Sequence, residues 1–151
     1  WLYYGTFSSI KMNILFLQGP NLNLIGVKSS DIKERLTLDK LNKRIREESK
    51  KAGISLKILQ THKEFKAINF LQRNRNWAEG LILISTSWAH NNFTLLETIK
   101  LIKLKTVSIY FENNYSFGAP INHSIIKGDH IQSLAGSPIQ VCSEALKLIK
   151  L

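Results

Sequence analysis

Cysteine, methionine and proline are scarce in this 151-residue chain, which contains one Cys, one Met and three Pro. The single thiol, Cys142, excludes an internal disulfide framework and any metal cluster built from several thiolates. No apolar run reaches the length of about 18 residues that a membrane-spanning helix needs, so no membrane partner is expected. We therefore expect a soluble globular protein of the cytoplasm or another reducing compartment, an organelle included.

Acidic residues are also in the minority, because 21 Lys and Arg face 11 Asp and Glu and leave a net charge of +10. The basic excess is densest over residues 28–51 and 57–75. A positive surface of this kind favours anionic partners, so an anionic macromolecule is one candidate. The alternative is that these side chains only solvate two helices. With 44% hydrophobic residues the chain is able to bury a core, which excludes a disordered protein.

Short apolar runs alternate with helical patterns along the chain, and residues 112–129 form a long loop between two of them. The runs predict five strands, at 13–17, 54–59, 81–84, 106–111 and 131–134. The helical patterns predict helices from the cap Thr37 to Gly53, and over 64–77, 92–104 and 138–151. This alternation is typical of parallel strands joined by right-handed crossovers, and ligands bind such sheets beyond the carboxyl ends of the strands. Residues 1–11 differ in composition, so we interpret them as an appendage and residues 12–151 as one domain.

Four segments at the predicted strand ends carry a family resemblance. The strongest is Gly-Pro-Asn-Leu-Asn-Leu-Ile-Gly at 19–26, which resembles the first motif of the type II 3-dehydroquinate dehydratases. Residues 60–64, 84–92 and 107–113 are similar to three later motifs of that family. The resemblance implies a flavodoxin-like α/β fold, in which a doubly wound five-stranded parallel sheet carries helices on both faces. It also implies a homo-oligomer, either a trimer or a dodecamer assembled from trimers, and a reaction without cofactor or metal.

The family reaction dehydrates 3-dehydroquinate, a small carboxylated substrate, to 3-dehydroshikimate in the shikimate pathway. In the family a lid tyrosine with a pKa lowered by arginines removes a proton, a histidine protonates the leaving hydroxyl, and a polar pocket stabilises the enolate. By resemblance, Asn21 corresponds to the residue that positions water and the enolate network. His90 corresponds to a histidine that hydrogen-bonds substrate hydroxyls, and Glu64 to a position near the subunit interface.

Most other family positions are substituted. Lys28 stands at an arginine of the lid and Lys33 at its catalytic tyrosine, while Ile84 replaces a substrate-binding asparagine. Ser108 and Tyr110 replace the Glu-x-His pattern of the fourth strand, which removes the general-acid histidine. Two further arginines are missing from the segment 117–121. Lys28, Lys33 and Tyr110 are therefore candidate replacements for the family's cation, base and acid.

Glu112 occupies the position of a serine that helps to hold the substrate carboxylate in the family. A second carboxylate beside the first is repulsive in a semi-enclosed site unless a cation neutralises it. Three hypotheses follow: a dehydratase that is weakened or lost, a noncatalytic scaffold with a basic binding surface, and a site that takes a neutral or cationic ligand. A cleft filled by Ile84, Trp88 and Phe117 argues against the enzyme.

Overall fold

The computed structural model describes residues 11–31 and 35–151, in which one all-parallel sheet has the strand order β2-β1-β3-β4-β5. The strands are β1 (Met12–Gln18), β2 (Ile54–Gln60), β3 (Gly80–Ile84), β4 (Lys105–Phe111) and β5 (Ile131–Gly136). The helices are α1 (Ile25–Lys28), α2 (Leu38–Lys51), α3 (Glu64–Asn74), α4 (Phe93–Ile102) and α5 (Pro138–Ile149). This is the predicted doubly wound five-stranded fold. Within the described residues, no helix combines the length and apolar character needed to cross a membrane.

Side chains of the central strands alternate between two apolar layers, because successive residues of a strand point to opposite faces. Ile14 and Phe16 of β1 pack with α2 and α5 on one face, while Leu15 and Leu17 pack with α3 and α4 on the other. All four side chains are fully buried. Because β1 and β3 are covered on both faces, their sequences are continuous apolar runs rather than alternating ones.

The predicted helix starts agree with the structure to within one residue, whereas the helix predicted over 64–77 ends at Asn74. The Thr37 hydroxyl caps α2 by accepting from the Lys40 N–H at 3.2 Å, and Asn92 caps α4 by accepting from the Leu95 N–H at 3.0 Å. Pro138 is the first residue of α5, where its missing N–H costs nothing. The helix predicted to reach Leu104 ends at Ile102, because Lys103 adopts a left-handed conformation with φ of 56°.

The loops after β1 and β3 are joined at the carboxyl edge of the sheet. The Gly19 N–H donates to the Ile84 carbonyl at 2.7 Å, and the Thr86 hydroxyl donates to the Pro20 carbonyl at 2.8 Å. A Cβ on residue 19 would lie 2.5 Å from the Ser85 carbonyl oxygen, so this contact requires glycine. The loop predicted after β1 also contains a 3-10 turn (Leu22–Leu24) and the short helix α1.

Candidate functional site

The loop after β1 presents Asn21 to solvent just before two buried residues. Asn21 is exposed and adopts a left-handed conformation with φ of 68°, which Asn tolerates better than most residues. Leu22 and Ile25 just after it are fully buried and fix the loop on the sheet. The left-handed backbone at position 21 is by itself enough to favour Asn there, without a role in catalysis. Its predicted role in positioning water remains a prediction.

The loop after β3 carries both an apolar and a strained position. Ile84, predicted at the place of a substrate-binding asparagine, is 2% exposed and belongs to the apolar layer under α2 and α5. Thr86 has φ of 49°, a conformation that is unfavourable for a β-branched residue. His90 follows at the end of this loop and is exposed, so its predicted contact with a substrate stays a prediction.

The carboxyl half of β4 and the loop after it share a buried chain of three hydroxyl groups. The Ser108 hydroxyl donates to the Tyr110 phenol oxygen at 3.0 Å, and that oxygen lies 2.5 Å from the Ser124 hydroxyl. Ser124 in turn accepts from the Ile126 N–H at 3.0 Å. All three residues are buried. The structure thus brings together the two predicted residues Ser108 and Tyr110, and adds Ser124, which no sequence pattern indicates.

The segment 117–121, which the resemblance places at an arginine-bearing loop of the family, lies against the loop after β3. Gly118 has φ of 61°, and a Cβ there would lie 2.3 Å from the carbonyl carbon and oxygen of Thr86. The neighbouring Phe117 packs against the same apolar layer as Ile84. The Lys28 ammonium lies 5.4 Å from the centroid of the Phe117 ring. The loops after β1, β3 and β4 are therefore closed against one another by contacts within the chain.

Trp88 does not pack in the same apolar layer as Ile84 and Phe117. It is half-buried and packs in the opposite apolar layer, under α3 and α4, whereas Ile84 and Phe117 share the layer under α2 and α5. Of the three residues predicted to fill an apolar cleft, Ile84 and Phe117 therefore share one apolar layer, and Trp88 lies in the other.

A pocket of about 410 Å³ lies beside the carboxyl end of β4. Tyr110 and Glu112 are on its wall, whereas Asn21, Lys28, Ile84 and His90 are not. The remaining wall is formed by Phe111, Asn113, Ser116, Phe117, Gly118, Ala119, Pro120, Ile121 and Ala135. The structure thus separates the predicted residues into a pair at this pocket and others on the adjoining loops.

Lys33 and Glu64 are the other predicted positions. Lys33 lies outside the described residues. Glu64 is exposed at the first position of α3 and is not on the wall of this pocket.

Comparison with known protein families matches residues 12–150 to Dehydroquinase class II. The chain belongs to the class II dehydroquinases. It is 32% identical over 102 residues to the 3-dehydroquinate dehydratase of Clostridium acetobutylicum, covering 68% of this chain and 71% of that one. It is 28% identical over 137 residues to the 3-dehydroquinate dehydratase of Trichodesmium erythraeum, covering 91% of each.

A solved structure supports the fold of this class II dehydroquinase. The crystal structure of type II dehydroquinase from Butyrivibrio crossotus superposes with a TM-score of 0.81 at 20% identity, covering 93% of this chain and 99% of that chain. The expectations of family membership and fold class are therefore confirmed.

The buried thiol of this class II dehydroquinase ionises less readily than a free cysteine. Burial of Cys142 raises its pKa, and the nearby Glu48 carboxylate raises it further, so the thiolate is disfavoured. Within residues 11–31 and 35–151, no three His, Cys, Asp or Glu side chains are grouped to hold a metal ion. The side chains at the carboxyl edge supply hydroxyls, aromatic rings and amides, together with the Glu112 carboxylate, the His90 imidazole and the Lys28 ammonium.

Proposed function

We propose that this class II dehydroquinase dehydrates 3-dehydroquinate to 3-dehydroshikimate several orders of magnitude more slowly than its active relatives, or not at all. The observation that carries the proposal is the charge of the pocket beside β4. Among the residues that the structure describes, its wall contains one charged side chain, Glu112, and that side chain is acidic. A carboxylated substrate entering this pocket meets a like charge, with no basic residue among those described on the wall to offset it.

The proton-transfer groups support the same proposal. Tyr110, at the position of the family's general acid, has its phenol oxygen between the hydroxyls of Ser108 and Ser124. Donating its proton to a leaving group would break this buried arrangement. A well-placed general acid or base contributes about 10²–10⁴-fold to a rate. Losing both the general acid and the lid base should therefore lower the dehydration rate by several orders of magnitude.

Neighbouring contacts oppose substrate entry as well. Ile84 offers no hydrogen bond where the family has an asparagine, and the Gly118 backbone packs against Thr86. These contacts join the loops that a substrate would have to separate.

The experiment is a dehydratase assay of the purified chain at high concentration, following the absorbance of the conjugated enone that dehydration creates. The 3-dehydroquinate dehydratase of Clostridium acetobutylicum serves as the positive control in the same buffer. Circular dichroism of the assayed sample confirms that it is folded. We expect kcat/KM to be at least ~10⁴-fold below the control. A rate within about tenfold of the control, abolished by His90→Ala, contradicts the proposal.

A second candidate is a noncatalytic scaffold with a basic surface, and a cluster of cations at the amino edge of the sheet favours it. Two pockets, of about 460 and 190 Å³, contain residues of the carboxyl end of α2. Their walls carry the cationic residues Lys11, Arg46, Lys50, Lys51, Lys147 and Lys150. The acid on these walls, Glu48, accepts hydrogen bonds from the Ser143 hydroxyl at 2.7 and 2.8 Å.

This surface lies at the opposite edge from the loops described above, so an assembly role there does not require an active site. The homo-oligomer implied by the family is part of this candidate.

Salt-dependent binding to a duplex DNA probe tests the scaffold candidate. The double variant Lys51→Ala/Lys147→Ala should weaken binding and flatten its salt dependence, because each lost phosphate contact lowers the slope by about 0.9. The control Lys66→Ala/Arg73→Ala removes the same charge from exposed positions of α3. Equal effects of the two variants, or no binding at low salt, contradict a built surface at the amino edge.

A further inference from the structure

The pocket beside β4 has an electrostatic character opposite to that of the protein. The chain carries a net charge of +10, yet the described residues on this wall include no Lys, Arg or His. The one formal charge among them is the exposed carboxylate of Glu112. The volume of about 410 Å³ is within the range of roughly 300–1,000 Å³ that is typical of small-molecule sites.

Aromatic and aliphatic residues form much of the remaining wall. Of its aromatic residues, Phe117 is half-buried, whereas Tyr110 and Phe111 are only 6% and 7% exposed. The electron-rich face of an aromatic ring attracts an ammonium group within about 6 Å of its centroid. The Phe117 ring already has such a neighbour, because the Lys28 ammonium lies 5.4 Å from its centroid.

We propose that this pocket binds a small organic cation, with an ammonium group beside the Glu112 carboxylate and an apolar part against Phe117 and the aliphatic residues of the wall. A bare metal ion does not suit the same wall, because hard cations need about six or more oxygen ligands and Glu112 is the sole carboxylate among the described residues there. The family position that holds a substrate carboxylate would in this chain select the opposite charge. This inference goes beyond the loss of dehydration and is tested separately from it.

Three probes of similar shape and different charge test the inference: phenethylammonium, 3-phenylpropan-1-ol and 3-phenylpropionate. Each is titrated into the ¹⁵N-labelled full chain, and backbone amide shifts report affinity and location. We expect phenethylammonium to bind about fivefold more tightly than the alcohol, the upper range for an exposed ion pair, and 3-phenylpropionate to bind most weakly. The shifts should be largest over residues 110–121.

Two matched variants distinguish the local effect of the Glu112 carboxylate in the pocket from the effect of the protein's net charge. Glu112→Gln should remove the preference for phenethylammonium over the alcohol. Glu144→Gln makes the same change of net charge on α5, at an exposed residue away from this pocket, and should leave the preference unchanged.

Three results would overturn the inference: equal affinity for all three probes, tightest binding of 3-phenylpropionate, or largest shifts outside residues 110–121. Absence of phenethylammonium binding up to about 10 mM would overturn it too. The dehydratase assay is independent of these titrations. Turnover of 3-dehydroquinate alongside selective ammonium binding would contradict the proposed loss of dehydration and leave the cation pocket standing.

Discussion

The phenol oxygen of Tyr110 lies 2.5 Å from the hydroxyl oxygen of Ser124, and the Ser108 hydroxyl donates to the same phenol. Tyr110 and Ser124 are 14 positions apart, so this contact fixes the long loop after β4 against the strand. Tyr110, which the resemblance places at the family's general acid, is thus engaged in holding a loop.

Removing that phenol should reduce stability. Tyr110→Phe leaves the buried Ser108 and Ser124 hydroxyls without their shared partner, at a cost of about 1–3 kcal/mol in the free energy of unfolding. Urea denaturation measures this loss. In a double-mutant cycle, Ser124→Ala should cost much less in the Tyr110→Phe background than in the wild type. Additive costs would show that the two hydroxyls do not interact.

Two glycines with positive φ, Gly118 and Gly53, allow the packing of the loop after β4 on the loop after β3 to be tested with a matched control. Gly118→Ala places a Cβ 2.3 Å from the Thr86 backbone, whereas Gly53→Ala, with φ of 71°, meets nothing within 4 Å. Gly53→Ala should therefore cost only the conformational penalty of about 1–2 kcal/mol. Gly118→Ala should cost clearly more, measured as the difference in denaturant midpoint. Equal costs would contradict the close packing of Gly118 on Thr86.

The Cys142 thiol should be unreactive in the folded protein. Burial raises its pKa above the usual value of 9.0, so the thiolate forms much less readily than in the unfolded chain. Alkylation by iodoacetamide at pH 8 should proceed only at the rate of unfolding, and should become fast in denaturant. Rapid modification of the native protein would contradict the burial of this residue.

The same shift predicts a pH dependence of stability. Because the folded thiol has the higher pKa, its contribution is fully present below about pH 9 and is lost as the pH rises above that value, where only the unfolded state readily ionises. The free energy of unfolding should therefore fall more steeply above pH 9 in the wild type than in Cys142→Ala. Parallel pH profiles for the two proteins would count against the shift.

Replacing the acidic wall residue should restore affinity for an anion. Glu112→Ser returns the family's serine and removes the like charge, so 3-dehydroquinate should bind measurably in ligand-observed NMR, although turnover stays low. Glu144→Ser, at an exposed position on α5, removes the same charge elsewhere and should have no such effect. Equal 3-dehydroquinate binding by the wild type and Glu112→Ser would show that Glu112 does not repel the substrate.

The strands and the starts of the helices could be predicted because residues close in the sequence determine them. The apolar sequence of β3 reflects its place in the middle of the sheet, and Thr37 caps α2 with a bond to the nearby Lys40. The short helix α1 spans four residues, too few for a periodic pattern, so it was missed.

Contacts between distant loops leave no such local pattern. Gly118 against Thr86 and Lys28 over Phe117 join residues more than thirty positions apart, and neither follows from periodicity. The sequence identified Tyr110 and Glu112 as substituted site positions, and the structure places both on one pocket. Their roles, like those of Asn21 and His90, remain predictions.

The most direct measurement is kcat/KM for 3-dehydroquinate, determined for this chain and for the Clostridium acetobutylicum dehydratase side by side. The proposed loss of dehydration predicts a value at least ~10⁴-fold lower for this chain while it remains folded. A value within about tenfold, abolished by His90→Ala, would show that the substituted residues form a working dehydratase site and would contradict the account.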